Sequence, residues 1–261
     1  MAKGCDLPQE LIEAIIACLH NDRKALAACS LVGHSWLPCS RYHQFRKVSV
    51  KDDRISVFTQ MNAANPHIAS RIQELTLTSS SEPARTQPIL DLLSGLASLH
   101  TLRLWGFHVA PYGDSIARYS TIPALRLLEI SSCDAAHGLD FLRLLSVFSR
   151  TRIGRLRLHE DDVAGVGDED MIAGCPLPCF RAPWQVRDAS ITNGSRGYLL
   201  KFLARVLDPE ALHTLDVGEL SRPHLEVAFP RFITTTGSAL RHVRWDVTSL
   251  YVAPSQGKFK L

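Results

Sequence analysis

No apolar run in the 261 residues reaches the ~18 that a membrane-spanning helix needs. The opening stretch, MAKGCDLPQE, has no basic segment followed by an apolar core, so no secretory signal is expected. The seven cysteines are an odd number at irregular spacing, which suits a reduced cytoplasmic or nuclear protein better than a disulfide framework. In that setting the Asn193-Gly194-Ser195 sequon meets no glycosyltransferase. Excess charge of one sign is also scarce. A net charge of +3 does not by itself imply nucleic acid. Apolar residues at 46% with 21% charged residues describe a globular chain.

Catalytic patterns are missing as well. Gly33-His34-Ser35-Trp36-Leu37 begins like a hydrolase nucleophile elbow, but Leu37 replaces the closing glycine and the stretch follows a helical pattern. Cys175 and Cys179 have no second pair at metal-ligand spacing, so a plain loop is the better reading. The acidic run Glu160, Asp161, Asp162, Asp168, Glu169 and Asp170 does not follow calcium-loop order and reads as a solvated connection. No glycine-rich phosphate loop occurs. The expectation is a chain that is not an enzyme, with no catalytic, metal or cofactor site.

What is present begins at Asp6. Asp6 is a candidate helix cap, Pro8 suits a first turn, and Gln9 completes a loose capping box. Leu11, Ile12, Ile15, Ile16 and Leu19 then fall at helical spacing. Asn21-Asp22 breaks this helix and caps a second, which carries Leu26, Cys29, Leu31 and Val32. A third short segment runs from Trp36 to Phe45. Forty residues of this kind have more apolar surface than they can bury among themselves, which predicts a docking module.

Leu7-Pro8, Glu10-Leu11, the Ile/Leu ladder to Leu19, Leu26, Cys29-Ser30-Leu31-Val32 and Trp36 together resemble an F-box. The ending from Trp36-Leu37-Pro38 to Phe45-Arg46 is similar to the expanded F-box families of mushroom-forming fungi. The resemblance covers roughly the first fifth of the chain and rests on many positions in fixed order. It implies binding to the Skp-type adaptor of an SCF ubiquitin ligase, and through it to a cullin. It assigns the adaptor contact or its supporting core to Leu7, Pro8, Leu11, Ile12, Ile15, Leu31, Val32 and Trp36. Gly33-His34 departs from the family's usual Cys-Arg or Cys-Lys. A glycine within that helix would weaken it by about 1 kcal/mol relative to alanine, and so lower adaptor affinity.

From Phe45 onward an apolar triplet of the form φxxφxφ recurs. It appears as Phe45/Val48/Val50, Ile72/Leu75/Leu77, Leu99/Leu102/Leu104, Leu125/Leu128/Ile130, Ile153/Leu156/Leu158, Leu212/Leu215/Val217 and Leu240/Val243/Trp245. Middle positions repeat every 26 to 28 residues, with one gap of 59 between Leu156 and Leu215. A degraded unit is expected in that gap near Trp184 and Val186, with Arg181 where an apolar residue belongs. Helices are predicted over 87–97, 139–148 and 198–207. Such periods read as leucine-rich repeats, in which each strand-plus-helix unit buries its leucines against its neighbours. The usual Asn or Cys after the strand is mostly absent, although Cys133 holds a comparable place. The last ten residues show no polar cap, which predicts a short arc or a shortened chain.

The fold class expected is therefore α/β, with an F-box over residues 1–45 and a leucine-rich-repeat-like solenoid of short parallel strands and helices over residues 46–261. Strand alternation places Glu74/Thr76, Arg103/Trp105, Glu129/Ser131, Arg155/Arg157/His159, Gln185/Arg187, Asp216 and Arg244/Asp246 on one exposed column. Within it Arg103, Trp105, Arg155, Arg157, His159 and Arg187 are the candidate target-binding face, suited to an acidic protein segment. Carboxylates interrupt this column and disfavour nucleic acid. The function expected is substrate recognition for an SCF-type ligase, in cytoplasm or nucleus and off the membrane. The alternative is an interaction scaffold with a drifted F-box and no ubiquitin role.

Overall fold

The protein is described from a computed structural model that covers residues 7–79, 83–84, 86–106, 108–109, 122, 124–131, 145, 148, 151–159, 183–192, 197–218 and 222–245. Asp6, Cys133, the acidic run 160–170, Arg181, the Cys175/Cys179 pair, Asp246 and the chain's last residues lie outside that description. So does all of the helix expected over 139–148 except positions 145 and 148.

Three helices open the described chain: α1 (Gln9–Cys18), α2 (Arg23–Val32) and α3 (Leu37–Arg46). The Pro8 carbonyl accepts the N–H groups of Leu11 and Ile12, which starts α1 directly after the proline. The expected capping box includes Asp6, which lies outside the described residues; Gln9 donates to Glu13 one turn along, at 3.0 Å. Asp22 caps α2, its Oδ1 accepting from the N–H groups of Lys24 and Ala25 at 3.0 Å each. Gly33 lies just past the end of α2 in extended backbone, so the helix penalty expected of it does not arise. Ile12, Ile16 and Leu26 are buried together, with Leu19, Trp36 and Cys39 packed against them. This small core is separate from the main one.

The rest is mixed α/β. Eight strands form one parallel sheet: β1 (Lys47–Lys51), β2 (Glu74–Thr78), β4 (Thr101–Trp105), β6 (Leu125–Ser131), β7 (Ile153–His159), β8 (Val186–Thr192), β9 (Thr214–Val217) and β10 (His242–Trp245). Their spatial order is their chain order. A separate two-stranded parallel pair joins β3 (Pro83–Ala84) and β5 (His108–Val109). The helices α4 (Ile55–Ala64), α5 (Pro66–Ala69), α6 (Thr86–Ser94), α7 (Gly197–Val206) and α8 (Arg222–Thr236) lie between strands in sequence.

Register aligns the apolar triplets into two rows. One runs Val48, Leu75, Leu102, Leu128, Leu156, Ala189, Leu215, Val243, and the other Val50, Leu77, Leu104, Ile130, Leu158, Ile191, Val217, Trp245. Ile55 of α4, Ile89, Leu92 and Leu93 of α6, Leu200 and Leu203 of α7 and Phe232 of α8 close over these rows as one core. The irregular spacing has a hydrogen-bond cause. The Gln73 carbonyl accepts both His100 N–H and Thr101 N–H, the His100 carbonyl accepts Arg126 and Leu127, and the His213 carbonyl accepts Arg241 and His242. Two successive donors on one acceptor make a bulge-like step at the strand entrance, and strict alternation starts after it.

The degraded unit needs correction. Its strand is centred on Ala189, opposite Leu156 and Leu215, and not on Trp184 and Val186. Trp184 is buried two residues before the strand, where it bridges to Leu207 and its backbone N–H donates to the Val206 carbonyl. An alanine at the middle position removed the leucine signal.

Candidate docking surface

Helical phase divides the apolar residues of the first three helices into two sets. On α1, Ile12 and Ile16 point into the small core, while Leu11 and Ile15 precede each by one residue and face outward. Leu31 is 86% exposed, Val32 64%, Leu11 51%, Leu7 44% and Ile15 41%. Pro8 is exposed beside them. Ordered helices that hold this much aliphatic surface in water mark an interaction site. Of the eight residues assigned to the adaptor contact, six are exposed; Ile12 is buried and Trp36 half-buried, both in the supporting core.

The six residues of the expected target-binding face are placed differently from one another. Arg103 and Arg157 share one register level and Trp105 and His159 the next, with Arg155 at the level before. Yet the column is not basic. Lys47 Nζ lies 3.3 Å from Glu74, Arg103 lies 3.5 Å from Glu74 and 3.3 Å from Glu129, and His159 lies 3.8 Å from Glu129. His159 Nδ1 also hydrogen-bonds the Thr192 hydroxyl. The sheet face is thus a cross-strand ladder of alternating sign, which lessens its fit to a strongly acidic segment. Arg187 stands apart from the other five. It sits at the strand entrances, where it lines a groove with Arg126 and Arg152, two arginines that the alternation rule did not single out.

Two histidines are held neutral by their surroundings. Burial, followed by the Arg46 and His20 charges, lowers the pKa of His43 below its ordinary 6.5, and its buried Nδ1 has no hydrogen-bond partner among the described residues. Burial, then Arg126, lowers His100, against a smaller opposing pull from Glu74. Both bind protons more readily when unfolded, so their stabilising contribution is present above about pH 6.5 and is lost as pH falls towards the lowered native values. The urea midpoint is expected to hold from about pH 8 to 7 and to decline as pH falls below about 6.5. The His43→Gln/His100→Gln double variant should flatten that decline, and an unchanged slope would contradict this. Burial, assisted by Glu13, raises the Cys39 thiol, which keeps it protonated and unreactive.

Among the described residues, no helix is long and apolar enough to cross a membrane, and no group of three or more His, Cys, Asp or Glu side chains is placed to hold a metal. No family model matches the chain. One similar protein is Protein LIGHT-DEPENDENT SHORT HYPOCOTYLS 2 of Arabidopsis thaliana, 39% identical over 64 residues. That match covers 24% of this chain and 29% of the plant protein's own length.

Proposed function

We propose that this chain is a substrate-recognition subunit of an SCF-type ubiquitin ligase, working in cytoplasm or nucleus. Its three N-terminal helices act as an F-box and dock on a Skp-type adaptor. The region from β1 onward is a leucine-rich-repeat-like arc that holds a protein target. The adaptor and its cullin place the charged ubiquitin enzyme beside that target, and this chain accelerates transfer through proximity, without a reactive group of its own.

The observation that carries this reading is the outward set Leu7, Leu11, Ile15, Leu31 and Val32, left uncovered while its helical neighbours Ile12, Ile16 and Leu26 are sealed. Adding a partner that covers those side chains gains roughly 25 cal/mol for each Å² of apolar surface removed from water. Co-elution with a recombinant Skp-type adaptor on a sizing column tests the reading. A one-to-one complex is expected. Separate elution at micromolar concentrations would leave an interaction scaffold with no ubiquitin role.

A further inference from the structure

At the entrances of β4, β6, β7 and β8 runs an open groove of about 860 Å³. Arg126, Arg152 and Arg187 line it, with Gly154 between them and Asp208 and Glu210 at one end. Leu125, Ile153 and Val186 pair across β6, β7 and β8, so the residues that follow them, Arg126, Gly154 and Arg187, share one level. Two inter-strand spacings separate the outer arginines, with β7 between them, which sets their backbones roughly 10 Å apart. A Cβ on Gly154 would come within 3.0 Å of the Arg126 carbonyl oxygen. Glycine therefore keeps the middle of the level clear of side chain.

The charges here are unlike those on the sheet face. Arg103 is clamped between two carboxylates, whereas Arg126 and Arg187 have no acidic partner among the described residues. Arg152 donates from Nε to Gln185 Oε1 at 2.8 Å, which steadies the side chain and leaves its terminal nitrogens to donate elsewhere. At the far end Asp208 already accepts the Glu210 N–H. Asp208 and Glu210 stand at one end of the groove only, and an oxyanion that accepts from two of the guanidiniums offsets the repulsion between neighbouring arginines.

We propose that this groove, and not the sheet face, is where the chain binds an extended peptide segment bearing oxyanion side chains. Two acidic groups two residues apart lie on one face of an extended segment roughly 6.6 Å from each other, and the long side chains of Arg126 and Arg187 bridge the remaining few ångströms of their level. Asp208 and Glu210 favour a basic residue further along the segment and reject a continuous acidic run. The proposal deepens the reading of this region as a target-holding arc, and its test uses no adaptor, so adaptor docking and peptide binding fail independently.

The experiment is fluorescence anisotropy on the full chain. The probe is a labelled twelve-residue peptide with two aspartates separated by one residue and a lysine three positions later. Arms carry alanine or phosphoserine in place of the aspartates, and a short duplex DNA serves as competitor. The aspartate peptide, the phosphoserine peptide or both should bind, and the tighter arm identifies the oxyanion. Arg126→Ala/Arg187→Ala should weaken binding at least tenfold, and Arg103→Ala less than twofold. Arg126→Glu/Arg187→Glu should switch preference to a peptide with lysines at the aspartate positions, an outcome that a misfolded variant does not give. Absence of binding to both anionic peptides, equal loss on Arg103→Ala, or complete displacement by DNA at matched charge would overturn the proposal.

Discussion

Replacing Leu31 and Val32 together by serine is expected to reduce affinity for a Skp-type adaptor at least a hundredfold while leaving the chain's own stability nearly unchanged. At 86% and 64% exposure the two side chains contribute little to the fold that serine would remove. Covering a leucine and a valine on docking is worth roughly 1.5–3 kcal/mol each, so their joint loss amounts to two to four orders of magnitude in affinity. Ile12→Ser is the informative contrast. That side chain is buried in the small core, so its replacement should lower the urea midpoint and disturb docking only as a consequence. Titration calorimetry and urea denaturation on both variants separate the cases. If Leu31→Ser/Val32→Ser binds as the parent does, the exposed face is not the docking surface.

The second large effect concerns the sheet. Leu156→Ala is expected to destabilise the chain by about 3–5 kcal/mol, the range for truncating a fully buried leucine whose surroundings cannot collapse. Leu156 is fully buried in β7, between Leu128 on one side and Ala189 on the other. Val243→Ala should act otherwise. It occupies the same apolar row, but in β10 at the sheet's end its side chain is exposed, and a change within about 0.5 kcal/mol is expected. Urea unfolding followed by circular dichroism gives both values. Equal effects at the two positions would show that the apolar rows do not form the continuous core described.

Much of this architecture is visible in the order of residues. Seven of the eight strands of the large sheet fall on a φxxφxφ triplet, because parallel strands covered by helices must align their leucines row on row. The exception, β8, escaped because Ala189 carries too little hydrophobicity to mark a middle position, and Trp184 drew attention to the wrong step. On α1 and α2, the list of apolar residues came from the sequence but their division into inward and outward sets did not. Ile12 and Leu11 are adjacent and alike in character, and only the helix packing decides which is sealed.

Charge was the least readable. Glu74, Arg103 and Glu129 stand 26 to 29 positions apart, and their neutralising ladder exists only once register is set. Arg126 lies at the bulge-like step after His100, and Arg152 just before β7 begins. A rule based on period two passes over them.

The account depends most on the apolar face of α1 and α2 being a surface that another protein covers. Hydrogen–deuterium exchange of the full chain, with and without a saturating Skp-type adaptor, tests this most directly. Protection confined to residues 7–36, with β4 to β9 unchanged, is the result expected. Unaltered exchange across α1 and α2 in the presence of adaptor would contradict it.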